Sequence, residues 1–437
     1  MKVFLISLGC ARNLVDSEYV LDIISREGYE VVDEVSSADI AIVNTCGFIG
    51  DAKEESIDII LDLVQIKETK DIKIVVGGCF TQKYSKELLE EIPEVDAVIG
   101  INWDDLIGIL KDILKGERVQ NIKEERYLLN YPTKKKIYLT PAHFAYLKIS
   151  EGCSHRCSYC AIYNIKGSYR SRPLDDILKE AEFLVGRGVR ELNVVAQDTT
   201  SYGVDLGPSI DITSLLRSIN DIEGDFWIRL LYTHPQMVGD DLISCYQELK
   251  KLCKYLDLPL QHISSKILKE MNRPASREVI FSLIKELRER VPGLSIRTSF
   301  IVGFPGESEE DFNELIDFIK DIKFDRLGCF RYSREDNTDA FDFEGQISES
   351  IKDQRFNTIM KEQNSIARDL NNKLLGKEIR VLVEEERGEY YLARSEFDAP
   401  EVDGIVYIEK SDKIDLGAFI NVRVKDVLEY DLIAEIA

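Results

Sequence analysis

A ten-residue stretch with three cysteines determines how the rest of this sequence is interpreted. Residues 151–160 read Glu151-Gly152-Cys153-Ser154-His155-Arg156-Cys157-Ser158-Tyr159-Cys160. The cysteines follow a C-x3-C-x2-C spacing, directly after a strand-like run. Thiolates favour iron–sulfur clusters or zinc. Three cysteines on a four-iron cluster leave one iron without a protein ligand, whereas a structural zinc site takes four ligands. The spacing therefore favours a cluster, and a zinc loop with His155 as fourth ligand is the alternative.

Three further cysteines each follow a predicted strand near the N-terminus. They are Cys10 after residues 3–8, Cys46 after residues 39–44 and Cys79 after residues 73–76. Each has an adjacent glycine, which lets the chain turn tightly beside a bulky group. In a parallel sheet the carboxyl ends of the strands share the edge where ligands bind. The pattern predicts a second four-iron cluster with one open iron; the alternative is three unrelated buried cysteines.

The remaining cysteines, Cys245, Cys253 and Cys329, lie inside predicted helices or strands, and we interpret them as core residues. Nine cysteines is an odd number, which argues against a disulfide framework. No apolar run is long enough to cross a bilayer, and the N-terminal stretch is too short for a signal peptide. We therefore expect a cytoplasmic protein with no membrane partner.

The order of the predicted elements indicates an α/β multidomain protein, because 437 residues exceed one ordinary core. Alternating strands and helices predict an N-terminal doubly wound parallel sheet over residues 1–120. Residues 121–143, with the triplet Lys134-Lys135-Lys136, read as a solvated linker. Six strand–helix units predict a partial (βα)6 barrel over residues 144–372, and short strands predict an antiparallel β-barrel over residues 373–437.

The cysteine run, with Tyr159 before its last cysteine, resembles the signature of the radical S-adenosylmethionine (radical SAM) enzymes. The resemblance implies that the open iron binds the amino and carboxylate groups of SAM, and that one-electron reduction releases a 5′-deoxyadenosyl radical. No catalytic residue beyond the cluster ligands is expected. Polar residues and glycines on the central strands or at their ends are candidate contacts to SAM or substrate. These are Gln197, Asp198, Gln261, Arg297, Gly303 and Gly306.

Two three-cysteine sets in this order resemble the radical SAM methylthiotransferases, which combine an N-terminal cluster domain, a radical SAM barrel and a C-terminal TRAM domain. The resemblance covers essentially the whole chain. It implies two 4Fe-4S clusters and insertion of a methylthio group at a C–H bond, with SAM as methyl donor and radical source. Residues 7–18, 196–203 and 398–404 resemble the branch that modifies an aspartate β-carbon in small-subunit ribosomal protein S-twelve. One departure, Ala11-Arg12 where Pro-Lys or a similar pair is common, is expected to touch no ligand.

Charge separates the possible substrates. The chain has 56 Lys and Arg against 79 Asp and Glu, a net charge of −23, and residues 373–437 carry 9 basic against 16 acidic residues, a net charge of −7. A C-terminal domain that gripped tRNA should be basic, because phosphate neutralisation dominates such binding. Acidity suits a basic ribosomal protein, although it could also serve only solubility.

The expected partners are ribosomal protein S-twelve or the small ribosomal subunit, together with an electron donor such as flavodoxin or ferredoxin. No direct tRNA binding is expected. The alternative within the family is a tRNA adenosine methylthiotransferase of the MiaB type. Outside it, the alternatives are a non-catalytic iron–sulfur protein and a zinc-binding structural protein.

Overall fold

The computed structural model describes residues 1–135, 137–273, 275–410 and 413–437. It divides into two compact units. The first comprises Met1–Leu139, Ser150–Arg172 and Ser333–Phe341, and the second comprises Thr140–Ile149, Pro173–Tyr332 and Asp342–Ala437. Within the described residues, the helices are all too short or too polar to span a bilayer. The domain bounds expected from the sequence stay a prediction. The interpretation of the basic triplet as solvated is wrong at Lys135, which is buried and pairs with Glu18 at 3.0 Å, and Lys136 lies outside the described residues.

The N-terminal part of the first unit is a parallel sheet with helices between its strands. The strands are β1 (Lys2–Ser7), β2 (Glu30–Val31), β3 (Ile40–Thr45), β4 (Lys73–Gly78), β5 (Ala97–Ile99) and β6 (Val119–Asn121). The helices are α1 (Ala11–Arg26), α2 (Gly50–Thr69), α3 (Cys79–Glu91) and α4 (Leu106–Leu114). The spatial order is β2-β1-β3-β4-β5-β6, with every pair parallel.

Burial explains the sequence pattern of this sheet. Every residue of β3 is buried, because helices cover both faces of the sheet. Residues 40–43 are therefore all apolar, instead of alternating between apolar and polar as in a strand with one exposed face. The strands are added outward in opposite directions from β1 and β3, and ligands of such sheets bind at the carboxyl ends of the strands near that switch point. The predicted doubly wound sheet is confirmed.

The chain next forms β7 (Phe144–Lys148) of the second unit and then returns to the first unit. There it forms β8 (Ser150–Glu151), α5 (Ile162–Lys166) and β9 (Arg170–Ser171). β8 and β9 pair antiparallel, Ser150 opposite Ser171 and Glu151 opposite Arg170. This short ladder closes the base of the loop that carries the C-x3-C-x2-C cysteines.

The second unit contains the remaining strands of the predicted partial barrel, and their helices alternate with them. The elements are α6 (Leu174–Gly186), β10 (Glu191–Val195), α7 (Ile212–Asn220), β11 (Trp227–Leu230), α8 (Asp240–Glu248), β12 (Tyr255–Asp257), α9 (Ser265–Glu270), α10 (Arg277–Arg290), β13 (Ser295–Val302), α11 (Glu309–Ile322), β14 (Arg326–Arg331) and α12 (Glu349–Asn372). They form two parallel sheets, β7-β10-β11 and β12-β13-β14, which an isolated parallel bridge between Ile228 and Leu252 connects.

The C-terminal strands close into a barrel. They are β15 (Glu378–Arg387), β16 (Tyr390–Ser395), β17 (Val406–Glu409), β18 (Phe419–Val427) and β19 (Leu432–Ile436), in the order β15-β16-β17-β19-β18. Alternate residues such as Val422 and Val424 are buried inside, which is the period-two pattern of a half-exposed strand. The predicted antiparallel barrel is confirmed, with one parallel pair, β17 with β19.

Buried ion pairs join this barrel to the strands of the second unit. Arg229 Nε on β11 donates to Glu191 Oε1 on β10 at 2.6 Å, and Arg394 on β16 pairs with the same carboxylate. Arg326 on β14 pairs with Asp398 at 2.5 Å. Losing one member of such a buried pair leaves an uncompensated charge, so these contacts hold the C-terminal barrel in place.

Candidate metal centres

The first cysteine set lies at the carboxyl ends of three neighbouring strands. Cys10 precedes α1, Cys46 follows β3, and Cys79 is the first residue of α3. Glycines let these loops approach one another closely. A Cβ on Gly9, whose φ is +86°, would lie 2.7 Å from Cys46 Cβ and 2.9 Å from Cys46 Sγ. A Cβ on Gly47 would lie 2.6 Å from the Phe80 backbone, so glycine is required at both loops.

Asn13 connects the loops that carry Cys10 and Cys46. Its buried Nδ2 donates to the carbonyl oxygens of Leu8 at 2.9 Å and Thr45 at 3.0 Å. Its Oδ1 lies 3.9 Å from the Cys79 thiol, so one amide touches all three segments. Asn13 was not among the residues predicted for the site, because a polar residue near the start of a helix gives no sequence signal of these distant partners.

The second cysteine set lies on the loop between β8 and α5. The Cys153 N–H donates to the Gly167 carbonyl at 3.1 Å, and the Cys160 N–H donates to the Cys157 carbonyl at 3.0 Å. Gly152 has a φ of +78°, and a Cβ there would lie 2.2 Å from the Ser168 carbonyl oxygen. These bonds hold the loop as a compact turn, which keeps its three thiols near one another.

Arg12 contacts a cysteine of the first set, contrary to the expectation that the Ala11-Arg12 pair touches no ligand. Its Nε donates to Cys10 Sγ at 3.3 Å. Burial alone raises the pKa of the Cys10 thiol, but the charge and hydrogen bond of Arg12, with the Asn13 backbone N–H, leave that pKa below its ordinary value. Burial raises the pKa of Cys46 and of Cys160, and the charge of Arg12 opposes that rise at both thiols, so its charge acts on both sets.

A buried lysine lies behind the two sets. The Lys166 ammonium is 3.1 Å from Asp16 Oδ2 and 3.3 Å from Glu151 Oε2, and all three side chains are buried. Tyr131 also donates to Asp16 at 2.5 Å. Asp16 lies on α1, which follows Cys10, and Glu151 adjoins the second cysteine loop, so Lys166 ties the supports of the two sets together. Lys166 was not among the residues predicted for the site.

Residues 333–341 of the first unit also connect the supports of the two sets. Ser333 Oγ accepts from the Gly50 N–H at the start of α2 at 3.2 Å, and Lys53 on α2 pairs with Glu335 at 2.9 Å. The Ala340 N–H donates to the Ser158 carbonyl inside the second cysteine loop at 2.8 Å. This segment therefore bridges α2, which follows Cys46, and the loop that carries Cys157 and Cys160.

The donor chemistry of both sets fits iron–sulfur clusters. Each set offers thiols, and within a set the cysteines raise one another's pKa, as Cys10 does for Cys46 and Cys157 does for Cys160. Burial raises the pKa of Cys79 and of Cys160 to about 12, and metal binding would replace those protons. No three His, Cys, Asp or Glu side chains of the described residues converge closely enough for a single metal ion. Three thiols in each set match a four-iron cluster with one open iron, whereas a structural zinc ion takes four ligands.

Three of the residues expected to contact SAM have other partners within the second unit. Arg297 Nη1 is 3.3 Å from Asp257 Oδ1, and its Nε is 3.4 Å from Asp403 Oδ1. Asp198 accepts from the Thr200 N–H at 2.9 Å. A Cβ on Gly303 would lie 2.3 Å from Lys352 Cγ, so close packing against α12 requires that glycine. These contacts give Arg297, Asp198 and Gly303 structural roles, and their assignment to SAM stays a prediction.

The other three lie at ends of strands or in the following turn. Gln197 comes two residues after β10, and Gln261 has a φ of +71° and forms a parallel bridge with Phe300 on β13. The Gly306 N–H donates to the Gly345 carbonyl at 2.9 Å. Cys245, Cys253 and Cys329 are buried, in keeping with their interpretation as core residues, and no described cysteine forms a disulfide.

Family models match three successive parts of the chain. The Uncharacterized protein family UPF0004 matches residues 2–100, the Radical SAM superfamily matches residues 147–319, and the TRAM domain matches residues 375–437. Together with the two cysteine sets, they define the class as radical SAM proteins with a second cysteine-bearing domain and a TRAM barrel.

Curated relatives match from end to end. The protein named Ribosomal protein uS12 methylthiotransferase RimO of Clostridioides difficile strain 630 is 43% identical over 439 residues, covering 100% of this chain and 99% of the relative. The protein of that name from Natranaerobius thermophilus is 45% identical, with 100% and 99% covered. The one from Clostridium botulinum strain Loch Maree is 46% identical, with 99% and 97% covered. The chain belongs to this family, the radical SAM methylthiotransferases of the RimO type, and the MiaB alternative is not favoured.

Solved structures share the fold at low identity. The radical S-adenosylmethionine methyltransferase TsrM from Kitasatospora setae, with cobalamin and a 4Fe-4S cluster bound, gives a TM-score of 0.56 at 16% identity and covers 76% of this chain and 74% of its own. The cobalamin-dependent S-adenosylmethionine radical enzyme OxsB gives a TM-score of 0.51 at 14% identity, with 84% and 57% covered. These likenesses support the α/β multidomain fold alone.

Proposed function

We propose that this chain inserts a methylthio group at the β-carbon of an aspartate in ribosomal protein uS12. The observation that carries the proposal is the presence of two three-thiol sets in one compact unit, with Arg12 acting on thiols of both. A methylthiotransferase of this class needs a site for SAM cleavage and a site for sulfur. The full-length identity to proteins named for uS12 supports the choice of substrate.

Each set would hold one 4Fe-4S cluster. Cys153, Cys157 and Cys160 would hold the cluster that binds SAM, and Cys10, Cys46 and Cys79 would hold the second. Three thiolates leave one iron of each cluster open for a reactant. When bound, these clusters and SAM supply the one-electron chemistry that activates a C–H bond and the sulfur that replaces the hydrogen.

The chain's own residues position and protect these groups. Gly9, Gly47 and Asn13 bring the strand ends of the first set together, and the hydrogen bond from the Cys153 N–H to the Gly167 carbonyl fixes the second. The positive charges of Arg12 and Lys166 favour the thiolate form of nearby cysteines. Cys79 is buried, and Cys10 and Cys160 are partly buried, which limits access of water to reactive intermediates.

Contacts to SAM or substrate are proposed for the strand-end residues. Gln197 and Gln261 are the stronger candidates, because their amide groups can both donate and accept hydrogen bonds. Gly306 belongs to a turn whose glycines permit close backbone approach. Asp198, Arg297 and Gly303 would act less directly, since each already supports the surrounding structure.

The proposed partners follow from charge. The net charge of −7 over residues 373–437 suits a basic ribosomal protein, free or within the small subunit, and disfavours direct tRNA binding. An electron donor such as flavodoxin or ferredoxin would supply the reducing electron. We place this chemistry in the cytoplasm, where ribosomal proteins are made.

Mass spectrometry of both possible substrates tests the proposal. The reconstituted protein is incubated anaerobically with SAM and a strong reductant, in one arm with uS12 and in the other with tRNA. The expected result is a methylthio group on one aspartate of uS12 and unmodified tRNA. Modification of an adenosine in tRNA, with uS12 unchanged, would contradict it. Reconstituted protein that consumes no SAM would instead indicate a non-catalytic iron–sulfur protein.

A further inference from the structure

One buried carboxylate attaches a segment of the first unit to two of its helices. Glu335 is 2% exposed and belongs to residues 333–341, here called the connecting segment. Its Oε2 lies 2.9 Å from the Lys53 ammonium on α2 and 3.7 Å from the Lys83 ammonium on α3. Its Oε1 accepts a hydrogen bond from Ser333 Oγ at 2.7 Å, which holds the carboxylate in this orientation.

The connecting segment reaches the supports of both cysteine sets. On one side, α2 begins shortly after Cys46 and α3 begins with Cys79, so both helices adjoin thiols of the first set. On the other side, the Ala340 N–H donates to the Ser158 carbonyl inside the second cysteine loop at 2.8 Å. A shift of this segment would therefore change how the two sets lie with respect to each other.

The charge of Glu335 holds together two cations that repel each other. Burial lowers the pKa of Lys83; the charge of Glu335 opposes that decrease, and the charge of Lys53 adds to it. The Lys83 side chain is only 7% exposed, so water screens this repulsion weakly. Asp336 also lies near Lys83, but it is exposed and accepts a hydrogen bond from the Tyr84 hydroxyl at 3.1 Å. Neutralising Glu335 would leave two ammonium groups unpaired between α2 and α3 and would loosen the connecting segment.

The proposed reaction requires a fixed separation between the two sets. The same substrate carbon must lose a hydrogen through the chemistry of the second set and gain sulfur from the first. A misplacement of about 1 Å can slow such a step by about 100-fold. We propose that Glu335 is a positioning residue, which holds the connecting segment against both sets and so couples SAM cleavage to sulfur insertion. The inference rests on the proposed function and deepens it by naming a residue that aligns its two sites.

The yield of 5′-deoxyadenosine per methylthio group on uS12 measures this coupling. The reconstituted protein is incubated anaerobically with SAM, a strong reductant and uS12, and both products are quantified by mass spectrometry. Glu335→Gln keeps the shape of the side chain but not its charge, so this ratio should rise at least about 10-fold above that of the parent. A role in overall stability alone would lower both products together, and an unchanged ratio would overturn the inference.

Amide hydrogen exchange gives a second readout that needs no turnover. It is measured on the reconstituted protein before SAM is added. In Glu335→Gln the Ala340 amide should exchange at least about 10-fold faster, because loss of a charge-assisted hydrogen bond makes local opening of the connecting segment easier. Unchanged exchange at Ala340 would mean that Glu335 does not hold the segment in place, and this too would overturn the inference.

Asp96→Asn is the matched control, because Asp96 also binds two lysines, Lys67 at 2.5 Å and Lys73 at 3.1 Å. Its Oδ2 accepts from the Ile74 N–H near the start of β4, whereas the cysteines of the first set lie at the carboxyl ends of the strands. This variant should keep both the product ratio and the Ala340 exchange rate of the parent. A raised ratio here as well would reveal a general effect of losing a buried carboxylate and would overturn the inference.

Glu335→Asp is the second variant, used if Glu335→Gln loses iron, which is measured in every variant. Its carboxylate is one methylene shorter, so the connecting segment must shift to reach Lys53, and the product ratio should rise at least about three-fold. A ratio equal to the parent's, or loss of iron from both variants, would overturn the inference while leaving the proposed function intact. Absence of a methylthio group on uS12 with the parent would overturn both.

Discussion

Replacing Gly9 with alanine should remove the second cluster while leaving the SAM-binding cluster in place. The new Cβ would lie 2.7 Å from Cys46 Cβ, whereas carbon atoms in contact are about 3.5–4.0 Å apart. Cys46 must therefore move by about 1 Å. That shift is larger than the roughly 0.2 Å range of metal–ligand distances in well-formed sites, so we expect Cys46 to be lost as a ligand.

Gly28→Ala separates this clash from backbone strain. Gly28 has a φ of +84°, close to the +86° of Gly9, but a Cβ there meets nothing within 4 Å. Both variants should lose roughly 1–2 kcal/mol because an L-residue is forced into the left-handed region. Gly9→Ala should lose a further 1–3 kcal/mol, roughly, from overpacking against Cys46.

The assay is iron per chain after anaerobic reconstitution, together with thermal unfolding of each protein before iron is added. Gly28→Ala should bind as much iron as the parent, and Gly9→Ala should bind about half, because one of two equal clusters is lost. Gly9→Ala should also unfold at the lower temperature. Full iron binding by Gly9→Ala would refute the proposed approach of Gly9 to a cluster ligand.

Three further perturbations test other parts of the structure. Lys166→Met should lower the free energy of unfolding by about 3–5 kcal/mol, because Asp16 and Glu151 would keep buried charges without their cation. Thermal or denaturant unfolding measures this loss. A loss below about 1 kcal/mol would contradict the ion-pair assignment. Burial raises the pKa of Glu384, but the hydrogen bond from His143 and the charge of Arg394 lower it to about 2. Ionised Glu384 therefore stabilises the fold fully at a pH above its ordinary pKa of 4.5, and this stabilisation is lost as the pH falls towards 2. The difference in free energy of unfolding between the parent and Glu384→Gln should shrink over that pH window. A difference that stays constant would be inconsistent with the lowered pKa. Cys157→Ala should abolish SAM cleavage, and a normal yield of 5′-deoxyadenosine would remove the basis for assigning the radical cluster to residues 153–160.

The fold was predictable where the sequence carries strong local patterns. The predicted strand over residues 39–44 and the six strands of the central region match the observed positions, because continuous apolar runs mark strands buried on both faces. The edge strands Glu30–Val31 and Val119–Asn121 were not predicted, since two or three partly exposed residues carry no periodic signal. The parallel pair Val406–Glu409 with Leu432–Ile436 depends on barrel closure, which no local pattern specifies.

The candidate site was predictable only as far as its thiols. The two cysteine sets are visible from spacing and from their places after strands. The roles of Asn13 and Lys166 depend on partners far away in the chain; Lys166 meets Asp16 across 150 positions. Arg297 was a candidate because it is a polar residue inside a strand, but its ion pairs with Asp257 and Asp403 could not be read from the sequence; its contact with SAM stays a prediction.

Iron counting by Mössbauer spectroscopy on the parent and on Cys46→Ala tests most directly that two separate clusters are present. The parent should show two 4Fe-4S clusters per chain, and Cys46→Ala should show one, with about half the iron and with some SAM cleavage retained. Unchanged iron in Cys46→Ala would contradict the assignment of a cluster to Cys10, Cys46 and Cys79, and with it the proposed delivery of sulfur to uS12.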